Sequence, residues 1–170
     1  MRRGIVISII GLALAFGTFY VFSWPSSMSG KLGDEVGFNA TKPEELLHTG
    51  LFLFKVRGPR DIKIIAVKLN DSSPGLVLVA SRLGGGGTAG ALTGERPEID
   101  RLPSAPGAIL HPNDAGAFVI TFRALNPGRF GFNGITVTYQ TGWLTRTVKL
   151  GPKVTVRVPE PSSTPSPSPS

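Results

Sequence analysis

The chain has 170 residues, a formal net charge of +7 and no cysteine. That length holds an N-terminal segment and one domain with a real core. The missing cysteine excludes disulfides, thiol nucleophiles, sortase-type chemistry, lipoprotein processing and cysteine-bound metals.

Residues Ile5 to Trp24 form an uninterrupted apolar segment preceded by Arg2 and Arg3, and the next charge downstream is Lys31. A bilayer core takes about 20 such residues as a helix. Arginines before the segment, against a mix with Asp34, Glu35, Glu44 and Glu45 after it, keep the N-terminus cytoplasmic and send the remainder outside. A cleaved signal peptide is the alternative, and it would give a secreted domain. Signal h-regions run about 7–15 residues and end in a small-x-small site. Here the run is longer, ends in Phe22, Trp24 and Pro25, and offers only Ser27-Met28-Ser29 for cleavage. We therefore expect residues 1–24 to be a cytoplasmic stub and single-pass anchor in the cell membrane, with Tyr20 and Trp24 at its outer interface. Cysteine-free extracytoplasmic domains suit a bacterium better than an animal secreted protein.

Residues 25–33 read as a Ser/Gly linker that lifts the domain off the membrane, and residues 34–158 as the domain. A helical turn capped by Thr41 is expected near Pro43–Leu47. Strands are expected at Leu51–Arg57, Ile62–Leu69 and Leu76–Leu83, bounded by Gly58-Pro59 and by the turn Asn70–Gly75. After a long loop, further strands are expected at Ala117–Leu125 and Phe130–Tyr139. Ile135, Val137 and Tyr139 alternate there with Thr136, Thr138 and Gln140. Leu144–Leu150 and Lys153–Val158 read as a hairpin about Gly151-Pro152. Short β-rich runs separated by turn residues indicate an all-β antiparallel sandwich. Residues 159–170, PEPSSTPSPSPS, cannot bury apolar area and read as a disordered Pro/Ser tail at the distal end.

Leu110-His-Pro-Asn-Asp, the strand to Leu125, Pro127-Gly128, and Gly134-Ile-Thr-Val-Thr-Tyr139 with its closing strands resemble the end of an immunoglobulin-like domain of bacterial membrane-anchored envelope proteins. The resemblance covers about a third of the chain. It implies an immunoglobulin-like β-sandwich, brings no catalytic residues, and says nothing of activity.

The segment from Gly84 to Gly116 shows little periodicity, and loops beyond about 12–15 residues are uncommon unless functional or disordered. Gly85, Gly87 and Gly90 satisfy G-x-G-x-x-G, but a dinucleotide site also needs a helix opening there, and Ala91–Pro97 does not read as one. Glu95, Glu98 and Asp100, with Arg96 and Arg101 among them, are candidates for acid–base or calcium chemistry. A solvated charged loop is the favoured reading, because no second cluster completes a site. Two histidines, His48 and His111, do not make a zinc site. No G-x-S-x-G or S-x-x-K points to serine chemistry. The sequons at Asn39 and Asn70 read as coincidence.

Thr145, Thr147 and Lys149, with Lys153, Thr155 and Arg157, form a polar, basic stripe. An ordinary wet sheet face is the favoured reading, and a surface for anionic polymer or headgroups is the functional one. We expect a non-enzymatic interaction module without cofactor or metal, an accessory subunit of an envelope complex. Its partner would be a protein meeting the 84–116 loop. The alternatives are a binder of anionic wall polymer or cation, and a carboxylate-dependent enzyme using that loop. Nucleic acid is not expected, since the charge is spread and no motif for it is present.

Overall fold

The computed structural model describes residues 25–30, 35–85 and 90–160. The expected anchor and all of the tail beyond Glu160 lie outside the described residues. Among the described residues, no helix is long and apolar enough to cross a membrane.

The elements are β1 (Ser27–Ser29), β2 (Val36–Asn39), β3 (Leu47–Arg57), β4 (Ile62–Leu69), β5 (Leu76–Gly84) and β6 (Ala91–Thr93). A short helix α1 (Pro97–Asp100) follows, then β7 (Ile109–Leu110), β8 (Ala115–Ala124), β9 (Gly128–Thr141) and β10 (Leu144–Val158). They build two sheets. Sheet A has the order β1-β3-β8-β5, with β6 also on β3, and sheet B the order β2-β10-β9-β4-β7. With β3, β4, β5, β8, β9 and β10 taken as strands B to G, this is the ABED and CFG division of an immunoglobulin-like sandwich. The first strand is shared between the sheets: β1 runs antiparallel to β3, and β2 runs parallel to β10.

Alternation explains which side of each strand is inside. In β3, Phe52, Phe54 and Val56 are buried while Leu53, Lys55 and Arg57 are exposed. The core is an aromatic contact chain between the sheets. Phe122 of β8 meets Phe38 of β2 edge-on at 5.5 Å and Phe132 of β9 at 5.3 Å. Phe132 in turn stacks on Phe52 at 6.2 Å. Offset and edge-on rings are the arrangements their quadrupoles favour.

Four local expectations are corrected. Leu144–Val158 is one strand, not a hairpin. The segment around Gly151-Pro152 is a bulge in its pairing with β9, and the reversal lies at Gly142-Trp143. Proline ends a central strand less readily when a bulge removes the need for its N–H. Gly151, at φ +84°, supplies the left-handed turn the bulge needs. Ser27–Ser29, expected within the linker, pairs with Arg57–Lys55 of β3. The turn at Thr41 is not helical. The Thr41 N–H and hydroxyl both donate to the Glu45 carboxylate, and Glu44 sits at φ +62°. The segment 84–116 is not structureless, since it carries β6, α1 and β7.

Candidate functional site

Strand order, not the stripe alone, builds the charged face of the molecule. On β10, Lys149, Lys153 and Arg157 are exposed and share the side of sheet B that points away from the core. They do so along one strand, not across a hairpin. The registers of β2, β9 and β4 then add their own outward residues in rows. Asn39, Arg157 and Arg129 form one row. Gly37, Thr155 and Gly131 form the next, and Lys153 pairs with Asn133 beyond it. Further along, Lys149, Thr136 and Lys68 form a row, and Thr145, Gln140 and Lys63 another.

The face therefore carries Lys63, Lys68 and Arg129 as well as the three cations legible in the sequence. Its one ion pair among the described residues is Lys153 to Glu35, at 3.4 Å. Arg129 and Arg157 are direct cross-strand partners, a like-charge pairing that disfavours the bare sheet. Beside them, next to Gly37, is a shallow pocket of about 400 Å³ lined by Glu35, Asn39, Arg129, Thr155 and Arg157 together with Phe38, Phe130 and Val156. Guanidinium groups over an open floor suit a carboxylate or phosphate oxygen pair.

The acidic candidates lie elsewhere and do not converge. Thr93 ends the pairing of β6 with the outer edge of β3, and the Gly94 N–H donates to the Leu46 carbonyl at 2.8 Å. Ten residues on, the Leu83 N–H of β5 donates to the Pro103 carbonyl at 2.9 Å. These two edges of sheet A are separated by β8, so residues 94–103 cross its outer face as a strap. The crossing explains why outward-facing Val119 and Thr121 of β8 are only 2% and 3% exposed. Ile99 of α1 is the buried residue of the strap.

Glu98 lies 3.9 Å from Arg96, and Asp100 lies 3.6 Å from Arg82. Glu95 and Arg101 are exposed. Among the described residues no group of three or more His, Asp or Glu side chains is placed to hold a metal. The strand β6 stands where a dinucleotide loop would open a helix. His48 is a clamp. Its Nε2 lies 2.8 Å from the Gly94 carbonyl and its Nδ1 2.9 Å from the Thr121 hydroxyl. A carbonyl only accepts, so Nε2 carries the proton, and in the neutral ring Nδ1 accepts from Thr121. His111 sits at the opposite end of the sandwich, 3.0 Å from Asp61.

No family model and no curated protein matches this chain. Among solved structures, the ASH/PapD-like domain 7 of human CEP192 is similar at 13% identity over 81% of this chain and 87% of that one, with a TM-score of 0.41. The CooA pilin subunit of enterotoxigenic Escherichia coli is similar at 12% identity over 81% and 100%, with a TM-score of 0.35. A family 123 glycoside hydrolase from Clostridium perfringens is similar at 9% identity over 78% of this chain but only 27% of its own, with a TM-score of 0.37. Likeness at this level informs neither activity nor partner, and the sandwich assignment rests on the strand order above.

Proposed function

We propose that the chain is a non-enzymatic, single-pass envelope protein of a bacterium, whose sandwich is displayed outside the cell membrane by residues 5–24. The outer face of sheet B takes an extended anionic partner, with wall polymer as the chemistry it suits best. The observation that supports this is the set of cations at Lys63, Lys68, Arg129, Lys149, Lys153 and Arg157, of which Lys153 alone is ion-paired among the described residues, to Glu35. Along β10 alone the cations from Lys149 to Arg157 span roughly 25 Å at the rise of a strand. That length suits a chain of repeating anions better than a point ligand.

The test is retention of the full chain, in mild detergent, on an immobilised poly(glycerol phosphate) and on a neutral glycan. Retention on the polyanion should fall steeply with salt, as screened contacts do. It should be lost in the variant Arg129→Ser, Lys153→Ser, Arg157→Ser. Retention that ignores both salt and the substitutions removes this reading.

A second reading is favoured by the strap. It holds Glu95, Glu98 and Arg101 outward on a scaffold clamped at both edges, and loops on rigid scaffolds carry binding. Under it the protein is an accessory subunit whose protein partner meets residues 94–103. Capture from native membranes should then lose that partner on Glu95→Ala, Glu98→Ala, Arg101→Ala substitution and keep it on substitution of sheet B. The carboxylate-enzyme alternative is not favoured, because Glu98 and Asp100 each lie beside a different arginine and the three acids do not converge.

A further inference from the structure

We infer that the end of the sandwich carrying Trp143 rests in the headgroup layer of the bilayer from which the chain emerges, so that the domain lies against the membrane with no spacer between them. The inference deepens the anchored reading of residues 5–24 and rests on it.

The first observation is how soon the chain becomes fixed. Ser26 is fully buried. Its N–H donates to the Thr141 hydroxyl at 3.3 Å, and its own hydroxyl accepts from the Arg60 N–H at 2.7 Å. Pairing with β3 begins at the next residue, Ser27. The apolar segment ends at Trp24, two positions before Ser26. Two residues reach at most about 7 Å when fully extended. A segment that crosses the bilayer and ends at Trp24 therefore places this end of the sandwich at the membrane surface.

The second observation is what that end presents. Thr141, which holds Ser26, opens the tight reversal between β9 and β10, and the residue at its tip is Trp143, 83% exposed. Ile109 of β7, beside Lys63 at the start of β4, is 57% exposed. The position a side chain would occupy at Gly142 lies 2.8 Å from the Arg60 guanidinium, so Arg60 sits against the tip. Arg57, Lys63 and Arg146 are exposed nearby, and among the described residues Lys55, Asp61, His111, Asp114 and Tyr139 also lie toward this end. A tryptophan has no place in the core here, and an indole with one apolar body and one N–H belongs at a membrane interface. Cations around it add attraction to anionic headgroups.

The third observation is polarity. β10 runs away from the Trp143 tip to Val158, so the Arg129–Arg157 pocket lies at the end away from the bilayer. A domain seated on Trp143 thus stands its basic face upright, open to a polymer running outside the membrane.

The chain has two tryptophans, Trp24 and Trp143, which makes the test direct. The full-length protein is reconstituted into phosphatidylcholine–phosphatidylglycerol vesicles with and without brominated acyl chains. Trp24→Phe leaves Trp143 as the sole reporter, and Trp143→Phe leaves Trp24. The expected result is that bromine quenches both, and that iodide quenching of Trp143 drops severalfold relative to the protein in detergent. If Trp24 is quenched while Trp143 keeps its full emission and stays open to iodide, the anchor stands and the seated domain is overturned. If neither is quenched, the anchored reading itself fails and the inference falls with it.

Discussion

His111 and Asp61 lie 3.0 Å apart on an exposed rim. The hydrogen bond to Asp61, and then its charge, raise the His111 pKa above the ordinary histidine value. A raised folded value means the pair contributes stability below the unfolded pKa and loses it as pH rises through the folded one. The contribution is small because both groups are open to water. An NMR titration should find His111 titrating above free histidine, and Asp61→Asn should return it. An ordinary value with Asp61 intact would mean the pair does not form in solution. Glu45 has the opposite sign. The Thr41 backbone N–H lowers its pKa most, so its contribution is present above the unfolded carboxylate pKa and is lost as pH falls through the lowered one. Gly151 is the glycine where a side chain would meet its neighbours most closely among the described residues. Its φ is +84°, and a Cβ there would overlap the ring of fully buried Phe52. Gly151→Ala should cost about 2–5 kcal/mol in urea unfolding, from left-handed strain plus overpacking.

At the scale of elements, the strap is a separable unit held by few groups. His48 joins Gly94 to Thr121, so His48→Ala leaves both without their partner at a cost of about 1–3 kcal/mol. Amide exchange across residues 94–103 should accelerate in this variant while β9 and β10 stay protected. Equal acceleration everywhere would show that the strap unfolds only with the whole sandwich. The ring chain between the sheets is different in kind. Phe122 touches aromatic rings of both β2 and β9, so Phe122→Ala should cost about 3–5 kcal/mol in the same urea unfolding. On the outer face, Arg129 opposes Arg157 in register. Arg129→Thr should raise the midpoint of thermal unfolding slightly at low salt, and leave it unchanged at high salt, since exposed like charges are screened within a Debye length.

Over the whole molecule the two ends differ. Ser26, Arg60 and Trp143 gather where the chain joins the sandwich, and Arg129, Arg157 and Asn39 gather where it leaves. The strands β3, β4, β5, β8 and β9 were legible because a period of two, broken by Asn-Asp-Ser-Ser-Pro-Gly and Asn-Pro-Gly turns, is local information, whereas the bulge at Gly151-Pro152 reads locally as a turn. Lys149, Lys153 and Arg157 were legible as one stripe for the same reason. Arg129 was not. It and Thr136 are an odd number of residues apart, and they share a face only because the irregularity at Gly134, φ +73°, shifts the phase of β9. Lys63 and Lys68 share that face through the irregularity between Ile64 and Ala66. The strap was illegible because elements of two to four residues have no period to read. The sequence by itself determined the strands β3, β4, β5, β8 and β9, the Asn70–Gly75 and Asn126–Gly128 turns and the apolar segment that precedes them, since each depends on neighbours along the chain. Only the tertiary structure decided which strands lie side by side, that residues 94–103 are fastened across sheet A, and that Ser26 is buried in the sandwich. Those depend on contacts between residues far apart in the chain, which alternation within one strand does not encode.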